Sequence, residues 1–540
     1  MFNPILSCID SKKNVQSFPS CSVKQAYSLS LLALASFDST INLIHNLTSV
    51  ADLSIYLWAC VLIIVFGLSY KDKTAGELLS RLSTWGELSA IFVITINVVY
   101  LVYILTSHSL LNVSLDSYYH FSYYSVVIKL LLALIWLGLS RFSSSVSNFI
   151  SYGVAELPLL SYLALAFSIT AISVSHLVIF LICLEGLSLI LYIIATIGRL
   201  QGGIAGATKY FAFGTLGSVL IFWGTVHLYE LTSSLSYSVF FSIFEQISLT
   251  TVSTSLSIKL LWAGSLILIG LLIKLGASPT HQWVPDVYSG VPTFVTSFYA
   301  IFIKVTLYVL FFKFAYHMHS LVEFEYAAIL SLIIGCFGTL RQFEIKRFLA
   351  YSSITHMGFL LAGDSNSLLI YLLTYALASF AFFIVIISLH VNKHEFTYLT
   401  DLRLIASAPS QIERLLLLFA LSSIAGLPPF SGFFGKIIIW ISLIEDIYLY
   451  NDPLSALLLL VNLVVSLIII FYYMRLVILL FVGDEQTLTN YVSSFKIDWS
   501  GQLSVKPLKL TILLSLVFWT FMVSPILGHI ISISESISLY

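Results

Sequence analysis

The sequence predicts an all-α polytopic membrane protein, and composition, segment length and charge all support this class. Of the 540 residues, 59% are hydrophobic and only 9% are charged, and the mean hydropathy of +0.99 lies outside the range of soluble globular proteins. The apolar residues form runs long enough for helices that cross about 30 Å of hydrocarbon. The net charge of −1 provides no basic surface for nucleic acid.

Hydropathy predicts about fourteen transmembrane segments, and some of them are short. They lie between an N-terminal extension of unknown role, residues 1–53, and a C-terminal tail, residues 531–540. The predicted segments are 54–70, 85–107, 125–140, 157–175, 177–197, 204–229, 260–278, 291–312, 326–340, 348–363, 366–390, 415–441, 454–482 and 510–530.

The distribution of Lys and Arg supports this count. Fourteen of them lie in connections that follow odd-numbered segments, whereas two lie in connections that follow even-numbered segments. Connections on the cytoplasm-equivalent side are the ones enriched in Lys and Arg. The odd connections are therefore placed on that side. The lysines of the N-terminal extension conflict with this orientation and favour a fifteenth segment, but long tails escape the rule.

Two of the predicted helices contain a break. Pro279 interrupts the first, and Pro428 and Pro429 interrupt the second. Proline removes a backbone donor and clashes one turn back, so each helix must kink or open. The breaks lie five segments apart. Because five is an odd number, two successive five-segment units cross the membrane with opposite orientations. This favours two inverted five-helix repeats at 157–312 and 326–482, and the alternative is two unrelated proline kinks.

Five ionisable side chains lie inside predicted spans. They are Glu185, Lys209, Lys274, Lys304 and Lys436. Each costs roughly 2.5–3.5 kcal/mol at mid-membrane, so a function or a partner must offset the cost. Because one acid stands against four lysines, we expect Glu185 to pair with one lysine. The other lysines lose their proton readily in an apolar setting and are suited to loading and releasing protons.

Other titratable groups have a structural alternative. His281 and His356 are placed to bridge the lysines, because imidazole titrates near neutral pH, but a membrane histidine is as often a helix–helix hydrogen-bond partner. Lys129 and Arg475 lie near the ends of their spans, where we expect them to reach the interface. For Lys209 this reading is also open.

The sequence contains no pattern of a redox or hydrolytic centre. The five cysteines are scattered without a CxxC pair, which argues against iron–sulfur, zinc and c-type haem sites. There is no GxxxxGK[ST], HExxH or GxSxG motif. The energy for any transport must therefore come from an ion gradient or from a partner.

From about residue 54 to 530 the chain resembles the antiporter-like membrane subunits of NADH:quinone oxidoreductase, respiratory complex I. The resemblance rests on six motifs in order: LEGLSLILYIIA, GATKYF, KLGASPTHQWVPDVYSGVP, FIKVTLY, KRFLAYSSITHMGF and LPPFSGFFGK. It implies fourteen helices with two inverted five-helix repeats, in which the seventh and twelfth helices are broken.

The resemblance also implies roles for the buried charges. Glu185 would pair with Lys274, and Lys209 would lie near that pair. Lys304 would be the central proton carrier, and Lys436 would face the other half-channel. FMN, iron–sulfur clusters and quinone would belong to partner subunits, with no cofactor in this chain.

The function expected from the resemblance is proton translocation coupled to NADH:ubiquinone oxidoreduction. Other membrane-arm subunits of complex I, including neighbouring antiporter-like subunits, and lipids would be the partners. The alternatives are a subunit of an Mrp-type cation/proton antiporter and a scaffold that does not conduct. The composition favours the mitochondrial inner membrane, with a bacterial plasma membrane as the alternative.

Overall fold

The fold is described by a computed structural model that places most of residues 113–481. All of the described residues belong to one compact unit, Asp52–Tyr540. The described residues are Ile91, Thr95, 113–115, 119–121, 123–146, 156–197, 201–237, 239–240, 242–243, 254–318, 324–363, 365–388, 397–403, 411–450 and 453–481. The N-terminal extension, the predicted segment 54–70, nearly all of 85–107, and 510–530 lie outside them.

The described part of the chain is nearly all helical. A short antiparallel pair, β1 (Val113–Leu115) and β2 (Tyr119–Phe121), precedes the helices. The helices are α1 (Tyr123–Val146), α2 (Glu156–Ser173), α3 (Leu177–Thr196), α4 (Gln201–Thr232), α5 (Thr254–Leu275), α6 (Trp283–Gly290), α7 (Thr293–Ser297), α8 (Lys304–Met318), α9 (Glu325–Leu340), α10 (Ile345–Leu361), α11 (Ser365–Ser388), α12 (Gln411–Ala425), α13 (Ser431–Tyr450) and α14 (Pro453–Phe481).

Every predicted segment between residues 125 and 482 coincides with helix. Six described helices are long and apolar enough to cross a membrane by length and composition, and four shorter apolar helices accompany them. The shorter pieces include α12, because the predicted segment 415–441 is divided between α12 and α13. The chain is thus a multi-pass membrane protein.

Both predicted breaks are present, and they have the same local geometry. The first helix ends at Leu275, four residues before Pro279, and the second ends at Ala425. Each helix is followed by a glycine with positive φ, +70° at Gly276 and +77° at Gly426. In both, the next amide hydrogen-bonds the carbonyl five residues back, at 3.1 Å, which satisfies a free carbonyl of the helix end.

The helices between the breaks position the buried side chains. α4 packs along α5, α9 packs along α10, and α6 packs against both α4 and α10. α7 and α8 are joined by a π-helical stretch, Phe298–Ile303, all of whose residues are buried. This irregular turn ends directly before Lys304, and π-helical turns are frequent at functional sites.

Candidate functional site

The first element of the site is an ion pair between α3 and the end of α5. Lys274 Nζ donates to Glu185 Oε1 at 3.2 Å. The lysine side chain is only 4% exposed, whereas the glutamate is 43% exposed. Ser188, one turn along α3, donates to the other carboxylate oxygen at 3.4 Å. The predicted pairing of Glu185 with Lys274 is thus present in the geometry, with the acid on the surface side.

Lys209 has a partner that sequence reasoning missed. Its Nζ lies 2.5 Å from Oδ2 of Asp286, in the first turn of α6, and both side chains are partly exposed. The expectation that only one of the four lysines pairs with an acid was therefore wrong. The sequence contained a signal for this acid. Asp286 follows the first helix break, and a carboxylate in the first turn of a new helix is stabilised by the positive end of the helix dipole.

Lys304 is buried in the described core. Its side chain is 3% exposed, and Nζ donates to Ser353 Oγ on α10 at 2.6 Å. The ring of Tyr288, from α6, lies 5.8 Å from the ammonium. No described acid pairs with Lys304. A serine hydroxyl and an aromatic face thus stabilise this lysine without fixing its charge.

Lys436 sits at the second helix break. It is 2% exposed, and its Nζ donates to the carbonyl oxygen of Ala425, the last residue of α12, at 2.7 Å. That carbonyl is free because the helix ends there, and the negative end of the helix favours a cation. The ring of Phe359 on α10 lies 5.3 Å from the ammonium.

One face of α10 connects Lys304 with Lys436. Ser353, His356 and Phe359 recur every three residues, so they share a face that extends about 9 Å along the helix. Ser353 bonds Lys304 and Phe359 covers Lys436, as described above. His356 comes between Ser353 and Phe359 on this face, is 1% exposed, and interacts electrostatically with Lys304 and Lys436.

The two predicted histidines have different surroundings. His356 Nδ1 bonds the hydroxyl of Tyr371 on α11 at 2.7 Å, and its Nε2 has no hydrogen-bond partner among the described residues. His281 lies in the first break, where Nδ1 is 3.2 Å from the carbonyl of Pro279 and 3.5 Å from Ser278 Oγ. Both described contacts of His281 are local, and neither reaches a lysine.

The expectation that Lys129 reaches the interface was wrong. Its side chain is fully buried in α1 and interacts electrostatically with Lys313 on α8. Lys313 donates to the carbonyl oxygen of Val174 at 2.6 Å, and the ring of Tyr237 lies 4.6 Å from its Nζ. These lysines lie apart from the α10 face, and Lys313 caps the carbonyl end of α2.

A multi-pass bundle with two broken helices and lysines buried at its centre defines an antiporter-like membrane protein. The chain belongs to the family described as "NADH:quinone oxidoreductase/Mrp antiporter, TM", whose model matches residues 174–450. This confirms the family that the six motifs predict. Within this family, the six motifs resemble those of subunit 2, called subunit N in bacteria.

Similar proteins carry these two names. NADH-ubiquinone oxidoreductase chain 2 of Rhizopus oryzae is 33% identical over 305 residues, which cover 52% of this chain and 57% of that protein. NADH-quinone oxidoreductase subunit N of Pelagibacter ubique is 34% identical over 306 residues, which cover 54% and 63%. The chain thus spans about three fifths of the length of these relatives.

Solved structures agree on the fold. A chain of respiratory complex I from Thermus thermophilus, with bound aureothin, matches with a TM-score of 0.68 and 25% identity, over 88% of this chain and 98% of that one. A chain of the Mrp complex from Dietzia matches with a TM-score of 0.66 over 81% of each chain, but at 17% identity this likeness shows the fold alone.

Proposed function

We propose that this chain is a proton-translocating membrane-arm subunit of respiratory complex I, which couples NADH:ubiquinone oxidoreduction to proton pumping. The observation that carries the proposal is the burial of Lys274, Lys304 and Lys436 in three different helices, with an acid beside only the first among the described residues. Placing three such lysines at mid-membrane costs roughly 8–10 kcal/mol. Proton transport is a function that would justify this cost.

The ion pair is suited to act as the switch. Two charges about 3 Å apart interact by on the order of 5 kcal/mol at an effective dielectric constant of about 20, and the exposure of Glu185 reduces this value. Moving one charge against 100 mV requires about 2.3 kcal/mol. Making or breaking the Glu185–Lys274 contact is therefore worth about as much as one transported proton.

The proton then follows the α10 face. Lys304 takes up the proton when Lys274 is drawn to Glu185, and it releases the proton when the contact opens. His356 bridges Lys304 and Lys436, and Lys436 delivers the proton toward the opposite half-channel. Each transfer moves one proton and makes no covalent bond between heavy atoms.

Lys209 and His281 occupy outer positions in this scheme. Both side chains are accessible, Lys209 beside Asp286 and His281 in the first break. We assign them to proton uptake from the cytoplasm-equivalent side. The two breaks at Pro279 and at Pro428 and Pro429 would belong to inverted repeats, which their matching glycine geometry supports.

The exposed face of α3 favours a neighbouring subunit as partner. Glu185 is flanked on this face by Ile182 and Leu189, which are 59% and 54% exposed. A half-exposed carboxylate facing lipid is costly, whereas a polar group on a packed partner helix satisfies it. We infer that another membrane-arm subunit, an antiporter-like one or a smaller one, covers Glu185, and that lipids cover the rest.

The redox groups would lie elsewhere in the complex. FMN, iron–sulfur clusters and quinone belong, in this proposal, to partner subunits, and the chain contributes to the enzyme NADH:ubiquinone reductase only by moving protons. The membrane is the mitochondrial inner membrane or, in the alternative, a bacterial plasma membrane. An Mrp-type antiporter subunit remains the rival function, since its fold matches, and it predicts no association with NADH-oxidising subunits.

The test is proton pumping by the purified complex in liposomes, with Lys304→Ala compared with Lys259→Ala. Lys259 is exposed near the start of α5 and makes a matched control. We expect Lys304→Ala to reduce NADH-driven pumping at least tenfold, while the control pumps normally. Normal pumping by Lys304→Ala would favour the scaffold, and a chain that purifies without NADH-oxidising subunits would favour the Mrp-type function.

A further inference from the structure

The buried hydroxyl of Tyr371 is the only described hydrogen-bond partner of the His356 ring. The bond to Nδ1 is 2.7 Å long. The ring of Tyr375, one turn further along α11, lies 4.9 Å from the imidazole and fixes its plane. Because Nδ1 is occupied, Nε2 is the ring atom left for proton exchange.

Tyr371 itself is held by the helix that carries Lys436. Gly435 of α13 has no side chain, and a Cβ there would lie 3.0 Å from Cδ2 of Tyr371 and 2.9 Å from Oγ1 of Thr374. The ring of Phe359 contacts Tyr371 at a centroid distance of 5.8 Å. The position of the Tyr371 hydroxyl therefore depends on the packing of α13 directly beside Lys436.

We propose that Tyr371 is a positioning residue that sets the orientation and tautomer of His356. The inference rests on the proposed function and deepens it. The hydroxyl of Tyr371 accepts a hydrogen bond from Nδ1–H, which keeps the lone pair on Nε2. Nε2 takes one proton from the Lys304 ammonium, and the imidazolium then gives that proton to the Lys436 amine, so that the histidine returns to its starting state.

The charged groups that interact electrostatically with the imidazole are Lys304 from α8 and Lys436 from α13, and the titratable groups that contact it are Tyr371 and Tyr375 from α11. Tyr371 forms a hydrogen bond with the imidazole, whereas the ring of Tyr375 packs against it. Removing the Tyr371 hydroxyl frees the ring to turn and to exchange tautomers. The pH dependence of pumping must then change, because the proton is offered to a different ring atom.

The test is a double-mutant cycle of Tyr371→Phe and His356→Gln in the assembled complex, read as pumping rate against pH. We expect Tyr371→Phe to lower pumping about tenfold, the factor for one lost buried hydrogen bond, and to shift the pH profile. In the His356→Gln background the same change should have no further effect, because Tyr371 acts only through the histidine.

Two further variants make the outcome decisive. Tyr308→Phe removes another buried hydroxyl, which donates to the Leu360 carbonyl at 2.7 Å, and should leave the pH profile unchanged. Gly435→Ala should displace Tyr371 and reproduce the pH profile of Tyr371→Phe. It therefore tests the same contact if the Tyr371→Phe complex assembles poorly.

Normal pumping and pH profile in Tyr371→Phe and Gly435→Ala would overturn the inference, as would an equal loss in both His356 backgrounds. Lys304→Ala is measured in parallel, because it distinguishes failure of this inference from failure of the proposed function. If Lys304→Ala abolishes pumping while the Tyr371 variants are normal, the inference alone fails. If Lys304→Ala pumps normally, the proposed function fails with it.

Discussion

At the scale of single residues, the lysines differ in what holds them. Lys274 faces a carboxylate, Lys304 a hydroxyl and Lys436 a helix-end carbonyl. A carboxylate favours the charged lysine much more strongly than a hydroxyl or a carbonyl does, because only the carboxylate carries an opposite charge. In the proposed mechanism, the partner of each lysine thus matches its role, with the switch at Lys274 and the carriers at Lys304 and Lys436.

A charge exchange tests whether Lys209 acts through Asp286. We expect Lys209→Asp and Asp286→Lys each to lower pumping about two- to fivefold, the range of a partly exposed ion pair. The double variant with exchanged charges should recover most of the loss, because the contact between α4 and α6 is restored. The loss and its recovery are measured as the rate of NADH-driven proton pumping in membranes that contain equal amounts of the complex. A double variant as weak as Lys209→Asp alone would mean that the ammonium itself is needed.

At the scale of helices, the breaks place the charges. Because α12 ends at Ala425, a carbonyl becomes free for Lys436, and the chain turns there through Gly426 in a left-handed conformation. The first break ends α5 one residue after Lys274, so that its last turn carries the lysine. In both cases a glycine, rather than the following prolines, marks the point at which the helix stops.

Substituting the second glycine should disturb Lys436. Gly426→Ala forces a side chain into a left-handed backbone, which costs about 1–2 kcal/mol, and its Cβ would lie 2.9 Å from Nζ of Lys436. We expect a lower melting temperature of the complex and several-fold slower pumping. Gly202→Ala is the control, because its Cβ meets its nearest atom at an ordinary 3.4 Å. Equal behaviour of the two variants would contradict the role assigned to the break.

Much of this arrangement was accessible from the sequence, for physical reasons. Hydropathy predicts the helices because membrane insertion depends on apolar length, and charged residues such as Lys304 stand out because burying them is costly. The sequence did not show which acid Lys209 meets or that Lys129 is buried, although the position of Asp286 directly after the break was a signal for the first. Both depend on which helix faces which, and the composition of a single helix does not contain that information.

At the scale of the whole molecule, the buried lysines come from three different helices of the bundle. α5, α8 and α13 each supply one lysine, and α10 joins the last two through Ser353, His356 and Phe359. Glu185, the acid beside Lys274, is 43% exposed on α3. In the proposed mechanism, a change in a neighbouring subunit acts on Glu185 and is transmitted inward to the buried carriers Lys304 and Lys436.

The Glu185–Lys274 contact is proposed to couple the redox reaction to the carriers, and Lys274→Ala removes this contact. The measurement is NADH-driven proton pumping in membranes that carry this variant, with assembly checked on native gels. The proposed coupling predicts an assembled complex whose NADH oxidation or pumping falls at least tenfold. An assembled complex that oxidises NADH and pumps protons at the normal rate would contradict it and make Lys274 a structural residue.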